Sequence, residues 1–99
     1  MMAAYFISPK AETDIRDIYD YIAADSIGNA DRVFNRLIKQ FDAIAQTPGI
    51  GHKRPELNDE SLRVISIYNF LVIYRATARP IQIVRVIHGA MDLGPEFRR

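Results

Sequence analysis

Three strand-like runs stand in the second half of the chain, separated by very short links. They are LRVISI (residues 62–67), FLVIYRA (70–76) and IQIVRVIH (81–88). Tyr68–Asn69 joins the first two and the four residues TARP join the last two. Links of two and four residues are too short for a parallel crossover, so the three runs must fold as antiparallel hairpins. A two-residue turn pairs Ile67 with Phe70, Ile65 with Val72 and Arg63 with Tyr74. A four-residue link pairs Ala76 with Ile81 and Tyr74 with Ile83. One face then carries Arg63, Ile65, Ile67, Phe70, Val72, Tyr74, Ile83, Arg85 and Ile87. The other carries Leu62, Val64, Ser66, Leu71, Ile73, Arg75, Val84, Val86 and His88. A one-residue slip in either link exchanges the faces.

What precedes these runs decides what covers them. AAYFIS (residues 3–8) reads as a short opening strand. Ser8 is placed to cap a helix, with Pro9 at the first helical position, where a missing N–H costs little. Ala11, Ile15, Ile18, Tyr19 and Ile22 then fall on one helical face, and Asp14, Asp17 and Asp20 read as a solvated row. SIGN (26–29) breaks the pattern, with Asn29 as the expected cap of a second helix from about Ala30 to Gln46. Its apolar stripe is Ala30, Val33, Phe34, Leu37, Phe41 and Ile44, and Arg32, Arg36 and Lys39 lie outside it. Residues 47–61 are a loop by their Pro and Gly content. The order β-α-α-β-β-β describes an α+β domain, with an αα-hairpin packed on one face of a small, mainly antiparallel sheet. The 99 residues make a single domain, 1–99.

Both sheet faces are largely apolar, and two helices cover one. Something else is therefore expected to cover the second face: a second copy, a separate partner, or the C-terminal tail, with tail and loop together as the plainest cover.

Composition excludes several chemistries. Without cysteine there is no disulfide, thiolate nucleophile or thiolate-bound metal, which suits a reducing cytoplasm. His52 and His88 lack closely spaced carboxylates, so no metal site is expected, and no motif calls for a cofactor. No apolar run approaches the roughly 20 residues that span a bilayer, so no membrane association is expected. Residues 1–47 hold five Lys/Arg against seven Asp/Glu, and residues 48–99 hold eight against five. The basic half is the side to meet an acidic partner, but the excess is too small for sequence-specific DNA binding by this chain alone.

Arg63, Arg85 and Tyr74 share a face, and arginines within apolar strands are costly unless paired. They can meet carboxylates of a partner, or Asp92 and Glu96 of the tail. With His88, Lys53 and Arg54 they can instead bind RNA phosphate. In that case Arg63 and Arg85 stabilise charge and His88 serves as general acid or base.

The segments SPKAETDIRDIYDYIA, PGIGHKRPEL, LRVISIYNFLVIYR and IVRVIHGAMDL, in that order, resemble the ParE-like branch of the RelE/ParE superfamily, the toxins of type II toxin–antitoxin modules. The resemblance covers nearly the whole chain. It implies a cytoplasmic, non-enzymatic inhibitor of DNA gyrase, neutralised by a ParD-like antitoxin whose C-terminal segment folds along the toxin. Antitoxin contact is expected at Arg63, Ile65, Tyr74, Arg85 and Ile87, and target contact at Met91, Phe97, Arg98 and Arg99. The alternatives are a RelE-like, ribosome-dependent mRNA endonuclease using Arg63, Arg85 and His88, and a non-toxic homologue that keeps antitoxin binding only.

Overall fold

The computed structural model describes residues 4–89. Its elements are β1 (Tyr5–Ile7), α1 (Pro9–Ala23), α2 (Ile27–Gln46), β2 (Leu62–Ile67), β3 (Phe70–Arg75) and β4 (Ile81–His88), with 3-10 turns at Pro48–Ile50 and Pro55–Leu57. The sheet order is β1-β4-β3-β2. β1 runs parallel to β4, and the other neighbours are antiparallel. The helical hairpin lies on one face, and the expected α+β layout is the one found.

Local chemistry sets the helix starts. Ser8 Oγ accepts from Ala11 N at 3.0 Å and donates to Val84 O at 2.9 Å, while Ser8 N donates to Ile83 O at 3.0 Å. One residue thus caps α1 and ties its start to β4. The second cap is not Asn29. α2 begins three residues earlier than its apolar stripe suggests, because Ser26 Oγ accepts from Asn29 N at 3.1 Å. Ser26 satisfies an orphan N–H that Asn29 was expected to serve further along. The link between the helices therefore shortens to Ala24–Ser26.

The β2–β3 register is the expected one, with Arg63 opposite Tyr74, Ile65 opposite Val72 and Ile67 opposite Phe70. Tyr74 also faces Ile83 as expected. Beyond that pair the register shifts by a β-bulge, so that Ile73 faces Arg85 and Val72 faces Val86. The extra residue reverses the alternation along the end of β4. Val86 packs with Val72 and Tyr74 on the helix side, and Ile87 packs with Leu71 and Ile73 on the other. The expected grouping of Ile87 with Arg63, Ile65 and Tyr74 is corrected by this bulge, which no link length encodes.

The main core joins Ala11, Ile15, Leu37, Phe41 and Ile44 of the helices to Val72, Tyr74, Ile81, Ile83 and Val86 of the sheet. Tyr5 meets Phe41 edge-on, with ring centroids 5.5 Å apart. The second face is covered in part by the loop, the plainest of the covers expected for it. Leu62, Val64, Leu71, Ile73 and Ile87 are all under 8% exposed, and Leu57 from the second 3-10 turn packs among them at 2%. The proline-rich loop thus contributes an anchor to this face. The C-terminal tail, the other expected cover, lies outside the described residues.

Leu57 turns the loop into a structural element, which gives a direct test. Leu57→Ala should cost about 2–5 kcal/mol, the usual range for emptying a buried leucine site. Urea denaturation followed by circular dichroism reads the shift. A change below about 0.5 kcal/mol, typical of surface positions, would mean that the loop does not seal this face.

Candidate functional site

Two polar centres flank the helix-covered face, and each uses residues singled out by the sequence. At the loop end, Tyr74 is fully buried. Its hydroxyl donates to Pro48 O at 2.7 Å and accepts from Gly51 N at 2.8 Å. Burial raises the phenol pKa above its ordinary value, which keeps the donor proton in place. Arg63 Nη1 donates to Gly51 O at 2.8 Å. His52 and Val64 exchange two backbone bonds of 2.9 and 2.8 Å. A Cβ at Gly51 would lie 2.7 Å from the Tyr74 hydroxyl oxygen and 2.9 Å from Val64 O, so only glycine fits this approach.

Tyr74 and Arg63 therefore hold the loop against the sheet. Tyr74 has no exposed surface to offer a partner, which corrects its expected place in the contact set. The loop cations have carboxylate neighbours of their own: Lys53 lies 3.2 Å from Glu60 and Arg54 lies 3.4 Å from Glu56. Such exposed pairs contribute little to stability.

The other centre answers why an arginine stands inside β4. Asp14 Oδ2 accepts from Arg85 Nε at 2.7 Å and from Val86 N at 3.0 Å, and Asp14 Oδ1 accepts from Arg85 Nη2 at 3.1 Å. Both side chains are 14% exposed. A carboxylate receiving a bidentate guanidinium and a backbone N–H is a strong, oriented arrangement. Asp14 is thus not part of a solvated acidic row. It binds the residues immediately beyond the bulge and fixes α1 over the end of β4.

Next to this clamp lies a groove of about 670 Å³. Ile18, Ile22, Val33, Phe70 and Val86 give it an apolar lining, with Tyr21 and Tyr68 at its edges. Tyr21 is 84% exposed and Tyr68 59%. Tyr68 has a φ of 51°, a left-handed conformation that bulky residues rarely adopt. His88 lines the same groove and meets Phe70 edge-on at 5.8 Å. On the far side of α1, Tyr19 donates to Asp31 at 2.6 Å and so pins the helical hairpin.

The candidates thus divide. Arg85 and His88 line the groove, whereas Arg63 belongs to the loop centre. Ile65 is half-buried against the core, and Ile87 is buried on the opposite face. Met91, Phe97, Arg98 and Arg99, and the proposed acids Asp92 and Glu96, lie outside the described residues. Sequence reasoning missed Asp14, Tyr21 and Tyr68. Asp14 had a signal: it stands three residues after Ala11 and four before Ile18, at the edge of the apolar stripe, where an unpaired acid next to the core would be costly.

The clamp predicts strong coupling. Asp14→Ala or Arg85→Ala alone should cost about 3–5 kcal/mol, because each leaves a charge without its buried partner. The double variant should be more stable than the sum of the two losses by about 1–3 kcal/mol. Additive losses in a denaturation cycle would show that the pair is not a unit.

A family model described as the ParE toxin of type II toxin–antitoxin system, parDE, matches residues 5–93. A solved chain from the chromosomal ParDE TA system of P. aeruginosa superposes with a TM-score of 0.70 at 23% identity, over 88% of this chain and 96% of that one. At that identity the likeness concerns the fold alone. No curated protein matches this chain significantly.

Proposed function

Because this chain belongs to the ParE toxin family of type II toxin–antitoxin systems, we propose that it arrests growth by inhibiting DNA gyrase and that a ParD-like antitoxin neutralises it. The family match over residues 5–93 carries the proposal. The site chemistry agrees with a binding protein. Arg85 directs two of its N–H groups into Asp14 of the same chain. Arg63 directs one into the loop backbone. A nuclease of the RelE type would aim such groups at phosphate, together with a proton-transfer residue. Here His88 shares the groove with Arg85, and Arg63 stands outside it.

The antitoxin contact is assigned to the groove. It combines an apolar floor with large exposed aromatic side chains, the composition of a protein-binding surface. A segment that gains order on binding can lay apolar side chains there. Arg85 and His88 then belong to its wall. The target contact is assigned to Met91, Phe97, Arg98 and Arg99. The proposed site of action is the bacterial cytoplasm, where gyrase is found.

The test is inducible expression in bacteria without the antitoxin gene, following growth, the DNA-damage response and protein synthesis together. Filamentation with a DNA-damage response is expected while translation continues, and purified toxin should inhibit supercoiling by gyrase. Early arrest of translation with mRNA cut at ribosomes would replace this function with the endonuclease. Normal growth would leave a non-toxic homologue that binds an antitoxin.

A further inference from the structure

The charges around the groove are distributed in an unexpected way. The two strand arginines suggest a basic surface that accepts an acidic segment. In the fold they do not provide one. Arg85 is matched by Asp14, and the pair contributes little net charge. Arg63 is not part of the lining. Asp17, on the α1 lip, is exposed and makes no hydrogen bond or ion pair among the described residues. Tyr21 follows it by one helical turn on the same lip and is 84% exposed. Tyr68, in the turn between β2 and β3, lines the same groove and is 59% exposed, its positive φ being the one that the first residue of a two-residue hairpin turn adopts.

We infer that this groove selects a partner segment that is apolar on its inner side and carries a basic side chain on the α1 lip, received by Asp17 and the rings of Tyr21 and Tyr68. A carboxylate and aromatic faces attract a cation together, and the attraction strengthens as the site loses water. Arg32, on the α2 lip with its guanidinium donating to Asn29 Oδ1, supplies the opposite sign. The opposite charges on α1 and α2 therefore favour a segment whose basic side chain lies near Asp17 and whose acidic one, where present, lies near Arg32. His88, the remaining titratable lining residue, faces Phe70 at the end of the floor.

This inference rests on the antitoxin assignment above, and its test separates the two. Full-length toxin and the full-length product of the adjoining antitoxin gene are titrated by calorimetry at low and at high salt. Asp17→Lys lies on an exposed helix surface, where substitutions barely change stability. It should weaken binding by about tenfold or more at low salt, and by less at high salt, as screening removes charge effects. Tyr21→Ala should also weaken binding by about tenfold. Tyr68→Gly relieves the left-handed backbone, so it should fold at least as well as the wild type and yet bind less tightly. An acidic segment predicts the opposite sign, with Asp17→Lys tightening the complex. Wild-type binding with an unchanged or tightened Asp17→Lys complex would overturn the groove inference and leave the antitoxin assignment standing. No wild-type binding would overturn both.

Discussion

Asp14 receives three donors from β4, two from the Arg85 guanidinium and one from the Val86 backbone, and much of the site's geometry follows from that contact. A bulge in an antiparallel ladder leaves backbone groups without their regular partners. The Asp14 carboxylate supplies a partner at that place, and the bidentate guanidinium holds it in orientation. Ser8 binds the preceding residues of β4 through Ile83 O and Val84 O. Between them, the start of α1 and its second turn bind four successive residues of the strand. The helix cannot shift along β4 without losing charged and neutral bonds together. The lip formed by Asp17 and Tyr21 is therefore held at a fixed place relative to the floor formed by Val86 and Phe70.

Most of this layout was legible from local pattern. Strand boundaries, the β2–β3 register and the Ser8 cap follow from apolar runs, link length and capping chemistry, all of which act over a few residues. Three features were not legible. The bulge depends on packing between β3 and β4, and two links of fixed length allow it or forbid it equally. The start of α2 at Ile27 was hidden because Asn29 is as good a capping type as Ser26. The role of Asp14 requires a partner 71 residues away. That last signal was present in two halves, an acid at the edge of an apolar helical stripe and an arginine within an apolar strand. Read together, two costly residues of opposite sign are the expected components of a buried pair.

The loop between α2 and β2 shows the same economy of means at the other end of the sheet. Its composition predicts irregular structure, and irregular structure is what forms. Yet Tyr74 and Arg63 bind its backbone at Pro48 and Gly51, and Leu57 enters the second apolar face. The loop is thereby ordered by side chains of the sheet. Its backbone polar groups near the core find partners there, as buried groups must. An apolar face that sequence pattern marks for a foreign partner is in part an internal seam.

This changes how arginines in strands should be weighed when function is inferred for folds of this kind. An arginine among apolar residues signals an unusual requirement for compensation, and compensation from within the chain meets it as well as substrate or partner does. Arg85 and Arg63 both find theirs inside the molecule. The side chains that remain available at the groove are of other types: a carboxylate at Asp17 and phenol rings at Tyr21 and Tyr68. None of these is conspicuous in sequence, because exposed acids and tyrosines on a helix or in a turn are ordinary. They become informative once the clamp has fixed which lip they occupy and has removed the arginine charge from the balance. The chemistry that a partner meets at this groove is set by what the internal pairing leaves over.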